Sequence, residues 1–271
     1  MENKMNGVVS ARGRAPLFIS SVALMAMFGI TACSEPKPGD RVKVDPPYGF
    51  NIVDSDTPVI TRLYKYQYGN GAGNDYRIED EPVSFQFPAK FYAWRNNQQG
   101  GPQWMVTLLV DRTNMQSLSD FLSKVYRKFG AYEPSAIYQR FSLRDLSVTI
   151  VSQIVDAHLP IHVTPSYLDR FGLQPVGSYC GFNMYGTIKG NVGILSAVIR
   201  YPNAPSASRV VGVSGHGPSQ LSIECDSSSP ICVARFLYND LEVNFTEAKG
   251  SICQSDADRQ RIIAFLDQHR V

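Results

Sequence analysis

The sequence predicts an α+β protein built from antiparallel sheets with a few amphipathic helices. Alternation comes first: Val83-Ser84-Phe85-Gln86-Phe87 switches between apolar and polar at period two, which puts one face of a strand in a core. A change of period follows. Leu118, Phe121, Leu122, Val125, Tyr126 and Phe129 recur at helical spacing, and Gly130 ends the run. The same order then returns, with strand signals from Val148 onward and an amphipathic helix at about 256–269. Two readings stay open: two similar strand-then-helix halves, at 50–140 and 141–271, or a single domain.

Taken in order, the chain starts with Lys4, Arg12 and Arg14 ahead of an apolar run from Leu17 to Ile30. Ser20, Ser21 and Gly29 interrupt that run, so it reads as a secretory leader rather than a membrane span. It ends in Ile30-Thr31-Ala32-Cys33, an aliphatic residue, two small residues and Cys. This resembles the lipobox of bacterial lipoproteins. The resemblance implies cleavage after residue 32, acylation of Cys33, and a mature protein held on a membrane by buried acyl methylenes at about 0.8 kcal/mol each. Ser34, rather than Asp, follows, which by resemblance to enterobacterial lipoprotein sorting implies the periplasmic face of the outer membrane. Residues 33–49 then read as the lipidated Cys and a flexible tether rich in Pro, Gly and charge.

Setting aside Lys4, Arg12, Arg14 and Glu2 of the leader, the 26 basic and 24 acidic residues balance. A neutral mature chain carries no electrostatic footprint for nucleic acid or anionic lipid. Apolar residues make up 44% of the chain, enough for a packed core beyond the tether.

Past the tether, Val59 to Tyr68, Val83 to Phe87, Phe91 to Trp94 and Trp104 to Val110 read as strands, with a turn cluster at Asn96 to Pro102. In the second half the strands are Val148 to Val155, Tyr179 to Ile188, Ile194 to Tyr201, Leu221 to Glu224, Val233 to Tyr238 and Leu241 to Phe245. Asn239-Asp240 turns between the last two. Ser255 is the expected N-cap of the final helix, with Asp256 and Asp258 in its first turn.

Four cysteines remain after Cys33: Cys180, Cys225, Cys232 and Cys253. An even number in an oxidising compartment favours two disulfides. Cys225 and Cys232 bracket a strand-turn-strand segment and would close a hairpin, which leaves Cys180 to pair with Cys253. A metal site is the weaker alternative, because no Cys-x-x-Cys pair or completing His pair is present.

Catalytic motifs are sparse, and the chain reads as a non-enzyme without cofactor or metal. His158 and His162 stand four apart, but Pro160 interrupts the helix that a zinc peptidase needs. Gly212-Val213-Ser214-Gly215-His216 puts His where a nucleophile elbow requires Gly, so it reads as a turn between strands.

The candidate functional segment is for binding. Tyr66, Tyr68, Asn70 and Tyr76 lie in a Tyr-Gly-Asn stretch composed like an antibody loop, and Glu79, Asp80 and Glu81 add three carboxylates for a basic partner. The competing reading puts Tyr64, Tyr66 and Tyr68 on one face of a strand with the glycines as its hairpin turn.

A lipobox, a Pro-rich tether and a small α+β domain are similar to the periplasmic immunity lipoproteins of type VI secretion lipase effectors. The ending adds to this: a strand from Cys232 to Tyr238, a short turn, a strand from Glu242 to Thr246 and a terminal amphipathic helix. The resemblance implies a lipid-anchored inhibitor that binds a secreted phospholipase toxin. Two other classes stay open: a structural lipoprotein of an envelope secretion or conjugation assembly, and a solute-binding lipoprotein.

Overall fold

Alternation decides most of the architecture. In β14 (Ile231–Tyr238) and β15 (Leu241–Ala248) every second residue is buried, giving inward rows of Cys232, Ala234, Phe236 and Tyr238, then Leu241, Val243, Phe245 and Glu247. The strands join through Asn239-Asp240, both at positive φ (47° and 62°), as a two-residue hairpin that follows strand twist requires. A computed structural model shows this arrangement; it describes residues 35–43, 48–51, 53–68, 75–120, 147–151, 163–187, 209–215, 219–226 and 231–271.

Nine strands form one antiparallel sheet in the order β10-β11-β12-β13-β14-β15-β9-β7-β8. The run β10 (Leu173–Tyr179), β11 (Phe182–Thr187), β12 (Arg209–Ser214), β13 (Leu221–Asp226), β14 and β15 is a meander of sequential neighbours. Beyond β15 the order jumps back. β9 (Ser147–Val151) sits between β15 and β7 (Met105–Asp111), pairing Val148 with Phe245 on one side and Leu108 on the other. β8 (Gln116–Ser117) closes that end. Strands on both sides of the expected boundary at 140/141 therefore share this sheet, and Pro36–Val271 forms one compact unit.

Among the described residues, two three-stranded sheets accompany the large one. In one, β2 (Pro58–Leu63) lies between β5 (Val83–Pro88), antiparallel to it, and β6 (Gly101–Gln103), parallel to it. The other is β1 (Arg41–Lys43), β4 (Asp75–Ile78) and β3 (Tyr66–Tyr68). β1 shortens the expected tether: Val42 pairs with Tyr76, and Gly39 N–H donates to the Ile78 carbonyl at 2.8 Å. The polar stretch is held because an open β4 edge offers its backbone groups a partner.

The terminal helix α2 (Ser255–His269) turns Ile262, Phe265 and Leu266 into the core. Phe265 stacks on Phe87 of β5 at 5.6 Å, so α2 covers the face that β2 and β5 share with the large sheet. Burying each such ring contributes about 1.5–3 kcal/mol. Gln254, not Ser255, stands at the cap position and makes no side-chain capping bond, because the 3-10 segment Lys249–Gln254 runs directly into the helix and leaves Ser255 already helical. A short helix, α1 (Pro165–Arg170), precedes β10.

Two further expectations change. Phe91 to Trp94 is not a strand: Ala89–Phe91 is a 3-10 turn, because Pro88 (φ −54°) ends β5, and Tyr92 and Trp94 make only isolated bridges to Leu108 and Phe50. Of the helix expected over 118–129, residues 118–120 are helical, and the rest lies outside the described residues, as do 152–155 and 194–201. Cys225 is bonded to Cys232, its direct cross-strand neighbour in the β13–β14 ladder, and Cys180 to Cys253.

Candidate partner-binding surface

β3 and β4 run antiparallel, pairing Tyr66 with Ile78, Gln67 with Arg77 and Tyr68 with Tyr76. A ladder this short needs a core of its own. It has one in Tyr64, Tyr66 and Ile78, each fully buried, with Val42 and Trp104 packed against them. The Tyr66 hydroxyl donates to the Gln103 carbonyl at 3.0 Å, and its ring lies 6.0 Å from that of Tyr64.

Tyr66 is therefore a core residue, not a contact residue. Its large ring gains by burial, and Gln103 satisfies the hydroxyl that burial would otherwise leave costly. The strand-face reading of the tyrosines holds at this position. Tyr68 and Tyr76 are paired in the strand register, and Asn70 lies outside the described residues.

The carboxylates fare differently. Ladder pairing ends at Ile78, and the chain leaves toward β5 through Glu79, Asp80 and Glu81. Glu79 is half-buried, its N–H donating to the Lys65 carbonyl at 2.9 Å. Asp80 and Glu81 are exposed. Lys65 Nζ lies 3.5 Å from Asp80, an exposed pair worth at most about 1 kcal/mol. The structure thus keeps an acidic corner on a buried footing and removes Tyr66 from the contact set.

Other sequence features resolve as structure. Ser214 ends β12 opposite Leu221 in the ladder, a strand position rather than a strand-to-helix elbow. His158, His162 and His216 lie outside the described residues. His269 stacks on Phe87 at 4.9 Å and meets Phe265 in a tilted contact at 4.4 Å. Lys90 lies 2.8 Å from Asp56 and 3.1 Å from Asp120, and the Asp56 bond, opposed by burial and joined by Asp120, holds its ammonium above the usual lysine range. Among the described residues, no group of three or more His, Cys, Asp or Glu is placed to hold a metal, and no helix is long and apolar enough to cross a membrane.

Sequence reasoning missed a second exposed surface. α1 buries none of its residues; Tyr167 and Phe171 sit 4.8 Å apart, with the Arg170 guanidinium over the Phe171 ring at 5.8 Å. The signal was present in Thr164-Pro165. Thr164 Oγ1 caps the helix by accepting from the Tyr167 N–H at 3.2 Å, with Pro165 at the first position.

Comparison with known proteins gives one likeness to report. A solved structure from Stenotrophomonas maltophilia, described as Smlt3025, an immunity protein of its type IV secretion system, is 15% identical with a TM-score of 0.44. The match covers 86% of this chain and 99% of that one. No protein-family model and no curated protein sequence matches the chain.

Proposed function

We propose that this chain is a membrane-anchored immunity protein that binds a secreted toxin outside the cytoplasm and blocks it by occupying its surface rather than by catalysis. One observation carries the reading. Asp80 and Glu81 stand exposed at the end of a ladder that Tyr64, Tyr66 and Ile78 seat in a core, a preformed charged surface. Such a surface binds without paying to order itself, and its charge speeds encounter with a basic partner. Glu79, Tyr68, Asn70 and Tyr76 adjoin it in the chain and complete the proposed contact set.

The motif Ile30-Thr31-Ala32-Cys33 supports the anchor, and its likeness to sorted lipoproteins supports the outer membrane. Tethering concentrates an inhibitor where a lipid-cleaving enzyme acts, raising its effective concentration without a new contact. A phospholipase effector of a type VI system is the toxin class that the sequence resemblance supports.

Affinity purification of the tagged full chain from its native envelope tests this. A stable equimolar complex with a secreted phospholipase or other toxin, whose activity falls on binding, is the expected result. Recovery of an envelope assembly would favour the structural class. A small ligand and no protein would favour solute binding.

A further inference from the structure

The two disulfides sit in opposite surroundings. Cys225 and Cys232 are 1% and 0% exposed and belong to the main core. Cys180 and Cys253 are both exposed residues. Cys180 opens the two-residue turn Cys180-Gly181 between β10 and β11, with φ of 51° and 83°, at the outer edge of the large sheet. Cys253 lies in the 3-10 segment just before α2.

Each end of the exposed bond is held without it. On one side Phe182, next after the turn and 2% exposed, packs in the main core, and Tyr179 pairs with it across the ladder. On the other, Ile252, immediately before Cys253, is fully buried in that core. Opening the bond therefore frees a covalent tie and withdraws no buried side chain.

Thiol exchange requires a thiolate to reach a disulfide sulfur, so access decides which bond reacts in the folded state. We propose that Cys180–Cys253 is a thiol-exchangeable tie between the β10–β11 edge and the base of α2, opened by an external dithiol while Cys225–Cys232 stays closed and the fold persists. One thiolate of the dithiol attacks a sulfur of the pair. The S–S bond breaks, and the departing cysteine sulfur keeps the electron pair and takes up a proton. The second thiol of the reagent then attacks the mixed disulfide and frees the other cysteine. The protein gains two thiols, and the reagent leaves as a disulfide, oxidised by two electrons.

The test uses the full chain with dithiothreitol in native buffer, trapping with N-ethylmaleimide at intervals, and peptide mapping by mass spectrometry. Cys180 and Cys253 are expected to label at least about 100-fold faster than Cys225 and Cys232, with near-ultraviolet circular dichroism unchanged when the first pair is fully labelled. Equal rates, earlier labelling of the buried pair, or labelling that tracks loss of the near-ultraviolet signal would each overturn the proposal. The full-chain double variant Cys180→Ser/Cys253→Ser is expected to keep the native spectrum. Loss of that spectrum would show that the bond holds the fold, which also overturns it.

Discussion

Arg112 and Glu247 meet inside the protein, 3.3 Å apart, with side chains 6% and 0% exposed. The inward row of β15 runs Leu241, Val243, Phe245 and then, by strand alternation, Glu247. A buried carboxylate needs a countercharge. Arg112 brings one from the turn after β7, lies over the Phe245 ring at 5.4 Å, and donates to the Thr246 carbonyl. Asp258 of α2 lies 3.9 Å from Arg112, while Arg261 pairs with Asp258 and donates to the Arg112 carbonyl at 2.9 Å. Two arginines and two carboxylates thus bind turn, strand and helix together.

Arg112→Met should cost about 3–5 kcal/mol, because it takes a buried countercharge away from Glu247 in the core. The double variant Arg112→Met/Glu247→Met should recover more than half of that loss. Urea unfolding of the three proteins decides: equal losses in single and double variants would show that packing, not charge, governs the site.

Tyr66→Phe should lower stability by about 1 kcal/mol by removing the bond to the Gln103 carbonyl, and should leave partner affinity unchanged. Asp80→Lys/Glu81→Lys should do the reverse, costing no more than about 1 kcal/mol of stability through the lost Lys65–Asp80 pair and slowing association with a basic partner. Stopped-flow or surface-capture kinetics beside urea unfolding separates the two effects. A binding loss in Tyr66→Phe at full stability would return that residue to the contact set.

Alkaline pH should destabilise the protein through its buried phenols. Burial, and then the bond donated to Asp267 at 2.6 Å, push Tyr238 up to about 12; burial raises Tyr92 as well. In the unfolded chain a tyrosine ionises near 10, so between about pH 10 and 12 the folded state holds the extra proton. The stabilisation is complete below pH 10 and is lost as the pH climbs toward 12. Urea midpoints measured across that window should fall less steeply in Tyr238→Phe, and an identical slope would remove this phenol from the account.

Gly212→Ala should cost about 1–3 kcal/mol. Gly212 pairs with Met184 on one side and Ile223 on the other, and a Cβ there would lie 2.7 Å from Met184 Sδ and from Ile223 Cγ2. Thermal unfolding should register a drop of several degrees, and an unchanged midpoint would mean that Met184 yields freely.

Cys33→Ser should move the protein from the membrane pellet to the soluble fraction after carbonate washing. Continued pelleting would count against the lipid anchor.

What the sequence disclosed follows the range of the physics. Local patterns sufficed for β14, β15, their Asn239-Asp240 turn and α2, because alternation, turn chemistry and helical spacing act over a few residues. The hairpin cysteines, seven apart, belong to the same class. Pairings without a local cause were not legible: β9 between β7 and β15, β6 parallel to β2, and Arg112 as the answer to Glu247. Tyr66 misled because large rings beside flexible glycines suit both a contact loop and a hairpin with its own small core, and burial alone tells them apart.

The jump in strand order sets a timetable for folding. β10 to β15 can zip up pair by pair, each strand meeting the one made just before it. β9 is synthesised ahead of that meander and can pair with β7, already made, yet its Glu242–Phe245 partners come more than 90 residues later, so its second edge must wait until β15 exists. Contacts that distant carry the largest loop-closure entropy. The β9–β15 seam is therefore the pairing expected to close late, and until it closes the open flank of β15 is an unpaired strand edge of the kind that invites association between immature copies.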